Sequence, residues 1–241
     1  MWSRVWLGLS LLLALDVAAE PLRIGFGTNK PPYVFENEAR GLEYDIVAAA
    51  ARRAGFTLEV HYAPMERLHL ALRRGDLDGI ATTSPRSGIE AYYSATYIHY
   101  HNAVAALSSR GYRITSVADL AGHSVSAFQR ARQLLGPVFG AMAESNPRYR
   151  EEALQINRNR LLYSGRVDVV VGDPRILRYF NAQVADQVDS HQPLTWYFIF
   201  EPTAYSVGFN DEAQRDRFDT GLEAIRASGE YLEIERRYAD Y

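Results

Sequence analysis

Two stretches of this chain end an apolar run in groups that bond to charge. GDLDGIATT (Gly75 to Thr83) and GRVDVVVGD (Gly165 to Asp173) share one order: glycine, any residue, an aliphatic residue, aspartate, then a buried-strand pattern closing on polar groups. Around such ends stand the residues with usable chemistry. Tyr33 and Phe35 follow Pro31-Pro32, and Thr82, Thr83, Ser84 and Arg86 follow the first run. Phe128, Gln129, Arg130 and Arg132 follow a third apolar segment, and Asp173 closes the second run. A carboxylate on one side of a cleft and a guanidinium on the other would clamp a zwitterion. The aspartate receives an ammonium group, and the arginine grips a carboxylate with two parallel hydrogen bonds. Backbone N–H groups at the helix start around Arg132 would add anion binding. Each residue also has a plainer reading. Asp173 fits the N-cap of a helix from Pro174 onward, a use compatible with ligand binding. Arg86, Arg130 and Arg132 fit solvated positions, Tyr33 and Phe128 fit a core, and Asp45, Asp78 and Asp168 fit caps or turn formers.

Several catalytic signatures are missing from the sequence. It contains no G-x-S-x-G elbow, no G-x-x-x-x-G-K-[ST] phosphate loop and no H-E-x-x-H. Gly25-Phe26-Gly27 lacks the third glycine of a dinucleotide fingerprint. His99 and His101 would share one face of a strand as a metal pair, but no third ligand stands nearby in sequence, so neither metal nor cofactor is expected.

These groups need elements to hold them. Leu22 to Phe26 reads as a strand, Gly41 to Gly55 as a helix, Phe56 to Tyr62 as a strand, and Met65 to Arg74 as a helix stopped by Gly75. The pattern returns with a strand at Ser124 to Phe128, helices at Arg132 to Met142 and Glu151 to Tyr163, and a strand at Val167 to Val171. Tyr205 to Phe209, a helix from Glu212 to Ala227 and a last helix from Glu230 to Tyr238 close the chain. Strands alternating with helices predict mostly parallel sheets in an α/β fold. Two similar halves, each with polar residues at strand carboxyl ends, predict two lobes facing a cleft.

The 241 residues are 47% hydrophobic and 23% charged, with formal net charge -3, a balance in which no sequence-wide field points to nucleic acid. Cysteine is absent, so a core must supply the stability. Arg4, the apolar run Val5 to Leu15 and the small residues Val17-Ala18-Ala19 read as a secretory signal peptide cut after Ala19. The run is short for a bilayer and Asp16 interrupts it. An exported, periplasmic protein is expected.

Seven segments in order resemble one family: LRIG, PPYVF, GLEYDIVAAAARRAGF, LHLALRRGDLDGI, YYSATYI, DLAGHSV with LLYSGRVDVVVGD, and GLEAIRASGEYLEIERRY. Over nearly all of the chain after the leader, the sequence resembles the family 3 bacterial extracellular solute-binding proteins, the amino-acid-binding receptors of ABC importers. The resemblance implies a type II periplasmic binding protein fold, two α/β lobes joined by a two-strand hinge. Lobe 1 would take residues 20–100 and 204–241, and lobe 2 residues 101–203. It implies a monomer that closes on a small-molecule ligand and docks on a membrane ABC permease. By the same resemblance Asp173 is the ammonium-binding acid, Tyr33 the aromatic covering the ligand, and Phe128 an apolar contact. Met65 stands where the family often has an aromatic residue, and Thr82 and Thr83 supply hydroxyl and backbone contacts. Arg130-Ala131-Arg132 replaces a Gly-Ser-Thr turn, exchanging a hydroxyl for two cations. That exchange points to a ligand more anionic than a neutral amino acid, or to one that is not an amino acid at all. Two rivals share the fold: a cyclohexadienyl dehydratase-like enzyme, and a ligand receptor for a sensor protein.

Overall fold

The structure is a computed structural model that describes residues 19–28 and 30–241. The expected leader, apart from Ala19, lies outside the described residues. The first half alternates β1 (Glu20–Gly27), α1 (Leu42–Arg53), β2 (Phe56–Ala63), α2 (Met65–Arg74) and β3 (Gly79–Thr83), then adds short β4 (Tyr92–Tyr93) and β5 (Ile98–Tyr100). The second half runs β6 (Ala103–Leu107), β7 (Val125–Phe128), α3 (Ala131–Leu134), α4 (Pro137–Ser145), β8 (Tyr149–Glu152), α5 (Gln155–Tyr163), β9 (Val169–Gly172), α6 (Pro174–Gln183) and β10 (Leu194–Tyr197). The chain then returns through β11 (Thr203–Phe209), α7 (Glu212–Ala227) and α8 (Glu230–Arg237).

Two sheets result, one ordered β2-β1-β3-β11-β4 with β5 also on β11, the other β10-β6-β9-β7-β8. β1 pairs in parallel with β2 and β3, so Gly27, Ala63 and the last residues of β3 lie at one edge. β7 pairs in parallel with β8 and β9, with Phe128 opposite Glu152, and β6 sets Ala103 opposite Gly172. Residues at the carboxyl ends of both parallel sets line one cavity. This is where open α/β sheets bind ligands. The chain passes between the sheets twice, after Tyr100 and before Thr203, and these two residues pair across β5 and β11.

The repeated aspartates have one job in both halves. Asp78 accepts from the Arg23 backbone N–H (2.7 Å) beside β3, and Asp168 accepts from the Ser124 N–H (2.7 Å) beside β9. Each ties the start of one strand to the neighbouring parallel strand. The cap or turn reading of these two residues gives way to this inter-strand tie.

Two predicted helices are corrected. The Arg132 to Met142 helix is split into α3 and α4, because Gly136 takes φ 90° and Pro137 starts a new helix at its first position. The helix expected from Glu151 starts only at Gln155; Tyr149–Glu152 is strand β8, where edge pairing with β7 overrides the helix propensity of Arg150, Glu151 and Glu152.

α2 buries Leu68, His69 and Leu72. His69 is 3% exposed and neither ring nitrogen has a partner among the described residues. Burial and the Arg130 and Arg73 guanidinium groups hold its pKa down to about 4, against the opposing pull of Glu66. The folded value lies below the unfolded one near 6.5, so the unfolded chain takes the proton first. Stability is then full above about pH 6.5 and is lost as pH falls toward about 4. After allowance for solvent screening, His69→Gln should remove on the order of 1 kcal/mol of the loss between pH 7 and 5 in urea titrations. An unchanged pH slope would show that His69 does not carry it.

Candidate functional site

A cavity opens between the facing strand ends, with about 50 Å³ of water-accessible space, enough for a few waters at roughly 10–15 Å³ each. From the first half it is lined by Gly27, Lys30, Met65 and Thr82, and by Tyr100 and Tyr205 near the crossings. The second half contributes Asn102, Phe128, Gln129, Glu152, Arg158 and Asp173.

The first wall is built on a buried network. Glu43 of α1 is 0% exposed, and its carboxylate accepts from Lys30 Nζ (3.2 Å), Tyr100 OH (2.5 Å), Thr82 Oγ1 and Tyr97 OH. Lys30 is the only lysine in the sequence, and its Nζ also donates to Thr82 Oγ1 (2.5 Å). Burial lowers the Lys30 pKa and Glu43 opposes that shift. Both phenols are held well above their ordinary value by burial and the Glu43 charge, so they remain donors. Thr82 carries φ 56°, a strained backbone for a β-branched residue. Tyr97 OH bonded to its N–H (2.9 Å) and the register shift of β11 opposite β3 hold it there.

The second wall is set by the ends of β7, β8 and β9. Asp173 is 2% exposed; Oδ2 accepts from Tyr33 OH (2.9 Å) and the His101 N–H (3.0 Å), and Oδ1 from the Arg175 N–H (2.9 Å). It caps α6, with Pro174 at the first helical position, and it also faces the cavity. Burial pushes its pKa up while these donors pull it down.

The structure brings Met65, Thr82, Phe128, Gln129 and Asp173 to the cavity and leaves six expected residues off it. Tyr33 lies behind Asp173, stacked on Tyr100 with ring centroids 3.9 Å apart, because its hydroxyl is drawn to the carboxylate. Phe35 packs edge-on to Tyr179 and Tyr241 in the core of the first half. Thr83 points away from the cavity and donates to Ser87 Oγ (2.9 Å). Arg86 is exposed on the short turn Pro85–Ser87. The anion site expected at the Arg132 helix start is filled from within: Glu151 accepts from the Arg130 N–H (2.7 Å) and the Arg132 N–H (3.2 Å). Arg132 itself is half exposed, 3.8 Å from Glu151.

Arg130 instead spans the cleft. Its Nη1 donates to Glu66 Oε1 (2.9 Å) and its Nη2 to the Ser87 carbonyl, both in the first half. Beside it, Gln129 Oε1 accepts from the Met65 N–H (3.1 Å). These three bonds join the two halves across the cavity.

Sequence reasoning missed Lys30, Glu43, Glu152 and Arg158. A lone lysine in an arginine-rich chain marked Lys30; nothing local marked the others, which sit inside ordinary helix and strand patterns. His99 and His101 are both exposed. Among the described residues, no group of three or more His, Asp or Glu side chains could hold a metal ion, and no helix is long and apolar enough to cross a membrane.

Two α/β halves crossed twice by the chain, with charged strand ends facing across a cavity, define the type II periplasmic binding protein fold. The chain belongs to the bacterial extracellular solute-binding proteins, family 3, whose profile matches residues 22–241. A histidine kinase sensor domain with similarity to periplasmic binding proteins superposes with TM-score 0.75 at 19% identity, over 92% of this chain and 96% of that one. The arginine-, lysine-, histidine-binding protein ArtJ from Geobacillus stearothermophilus gives 0.74 at 15% identity, over 92% and 96%. At such identities the likeness shows the fold alone. Membrane-bound lytic murein transglycosylase F of Desulfosudis oleivorans is 24% identical over 222 residues, 86% of this chain. This chain spans about half the length of that curated relative, 45%.

Proposed function

We propose that this protein is a periplasmic receptor that captures a small polar ligand, an amino acid or a related zwitterion or anion, between two lobes and delivers it to an ABC importer. The observation that carries the reading is the cavity itself, whose lining comes from both halves and includes the buried Lys30, Arg158, Glu152 and Asp173. A ligand touching both walls binds the closed state better than the open one, which is the condition for driving closure. We place lobe 1 at 20–100 and 204–241 and lobe 2 at 101–203, with the hinge at the two crossings, and expect a monomer. Met65, Thr82, Phe128, Gln129 and Asp173 form the proposed contact set, with Asp173 toward an ammonium group.

Native mass spectrometry of protein purified from the periplasm tests this, paired with small-angle scattering before and after removal of any retained molecule. A retained small molecule whose removal expands the protein supports the receptor. Loss of prephenate or arogenate with time in the same sample would make it an enzyme and end the reading. Arg130→Ala removes two bonds of the closed form, a loss of about 1 kcal/mol, so it should weaken ligand binding about fivefold and raise the radius of gyration without ligand. Unchanged scattering would mean that the Arg130 bridge does not bias closure. A second reading, a receptor for a sensor, draws support from the superposition on a histidine kinase sensor domain. Capture of a sensor ectodomain rather than a permease by the ligand-loaded protein would favour it.

A further inference from the structure

We propose that Arg158 is the carboxylate-binding group of the cavity, so that the ligand is a small molecule bearing a carboxylate next to the site of Asp173. This rests on the reading of the cavity as the ligand site. Arg158 is 1% exposed, yet it lies in the cavity wall. Its Nη1 donates to the Val171 carbonyl (2.5 Å) and its Nη2 to Gln155 Oε1, while Nε has no partner. Among the described residues no carboxylate lies within ion-pair distance of it. A guanidinium carries five N–H donors, so several remain to be used. Burial draws its pKa down to about 10 against the opposing pull of the Asp173 and Glu152 charges, which leaves it charged at neutral pH. A buried charge without a direct ion pair costs several kcal/mol unless something supplies a closer anion.

The other cations near the cleft are already engaged. Lys30 is bonded to Glu43 and Thr82, Arg130 to Glu66 and Ser87, and Arg132 to Glu151, while Arg86 stands in solvent away from the cavity. The nearby carboxylates are engaged as well. Glu152 is paired with Arg150 (2.5 Å), and Asp173 takes the three donors described above. Of the two cations lining the cavity, Lys30 is ion-paired with Glu43, and Arg158 has no ion pair among the described residues.

The surroundings are shaped to seat this side chain. A Cβ on Gly172 would overlap Arg158 Nη1, so the glycine of VVVGD clears the guanidinium's place at the end of β9. The adjacent Asn159 donates to the Leu177 carbonyl (2.7 Å) and to Asn181 Oδ1 (2.8 Å), pinning α5 to α6 and fixing the face that Arg158 presents. A small carboxylate suits the limited volume, and the planar fork matches it with two bonds.

The test is a thermal-shift and calorimetric titration of wild type, Arg158→Met, Arg158→Lys and Arg86→Ala. The probes are glycine, L-alanine, L-glutamate and L-arginine, each beside its carboxamide counterpart. At least one acid should bind wild type tenfold or more tightly than its amide. Arg158→Met should lose that binding a hundredfold or more, Arg158→Lys should keep part of it, and Arg86→Ala should stay within twofold. Without ligand, Arg158→Met should melt at or above wild type, since it removes a buried charge that has no ion pair among the described residues; an arginine kept only for structure would make it melt lower. Amides binding as well as acids, or Arg158→Met retaining affinity within threefold, overturns the inference and leaves the receptor reading standing. An Arg158→Met that fails to fold, with Arg158→Lys binding acids as wild type does, also counts against it. If no probe moves wild type, the amino-acid receptor reading falls and takes this inference with it.

Discussion

Glu43→Ala should destabilise the protein by about 3–5 kcal/mol, the cost of leaving a buried ion without its partner. Glu43 is 0% exposed and gathers Lys30, Thr82, Tyr97 and Tyr100. Removing it leaves two phenols without their acceptor and Lys30 with Thr82 as its hydroxyl partner. Lys30 already has a pKa lowered by burial, and Glu43 opposes that shift. The mutant should therefore hold Lys30 neutral at a lower pH than wild type does. Glu43→Gln keeps one acceptor oxygen and should cost less than alanine. Urea denaturation of both, with Lys30→Met and the double mutant Glu43→Leu/Lys30→Met, completes the comparison. The double mutant should recover much of the loss, because replacing both members of a buried pair by apolar groups is often close to neutral. A single-mutant loss below about 1 kcal/mol would mean that water reaches Lys30 freely. Thr82 makes the effect reach the cavity, since its strained φ of 56° depends on the same network.

Asp173→Asn should weaken binding of an amine-bearing ligand by at least tenfold, on the order of 1.4 kcal/mol or more. The substitution removes the charge, and it also leaves a donor facing a donor. Oδ2 accepts from both Tyr33 and His101, so the asparagine oxygen is best placed there. The amide nitrogen then meets the Arg175 N–H where Oδ1 accepted. A stability loss of about 1 kcal/mol from the damaged cap should accompany the binding loss. Comparing an amine ligand with its deaminated analogue separates the two effects, because only the amine loses affinity through the charge. Equal affinities of wild type and Asp173→Asn for the amine in calorimetry would remove Asp173 from the ammonium site.

Much of the fold was legible because its signals are local. Helix and strand periods, Gly75 ending α2 and Gly165 opening the second strand motif all act within a few residues. The parallel GDLDGIATT and GRVDVVVGD segments placed two strand ends, and Asp173 came to the cavity with them. Elements that failed locally were those where edge pairing or a Gly-Pro break decided, at β8 and between α3 and α4.

The sequence by itself therefore determined the α/β alternation, the two similar halves and the strand ends where charge would gather. Only the tertiary structure decided which charges reach the cavity. Tyr33 and Asp173 meet although 140 positions separate them, and Arg130 finds Glu66 64 positions away. Pairings of this kind depend on how the two halves pack together, and no local period encodes that. Tertiary packing makes Arg130 a bridge, leaves Arg86 in solvent, and buries Arg158 in the wall without an ion pair among the described residues.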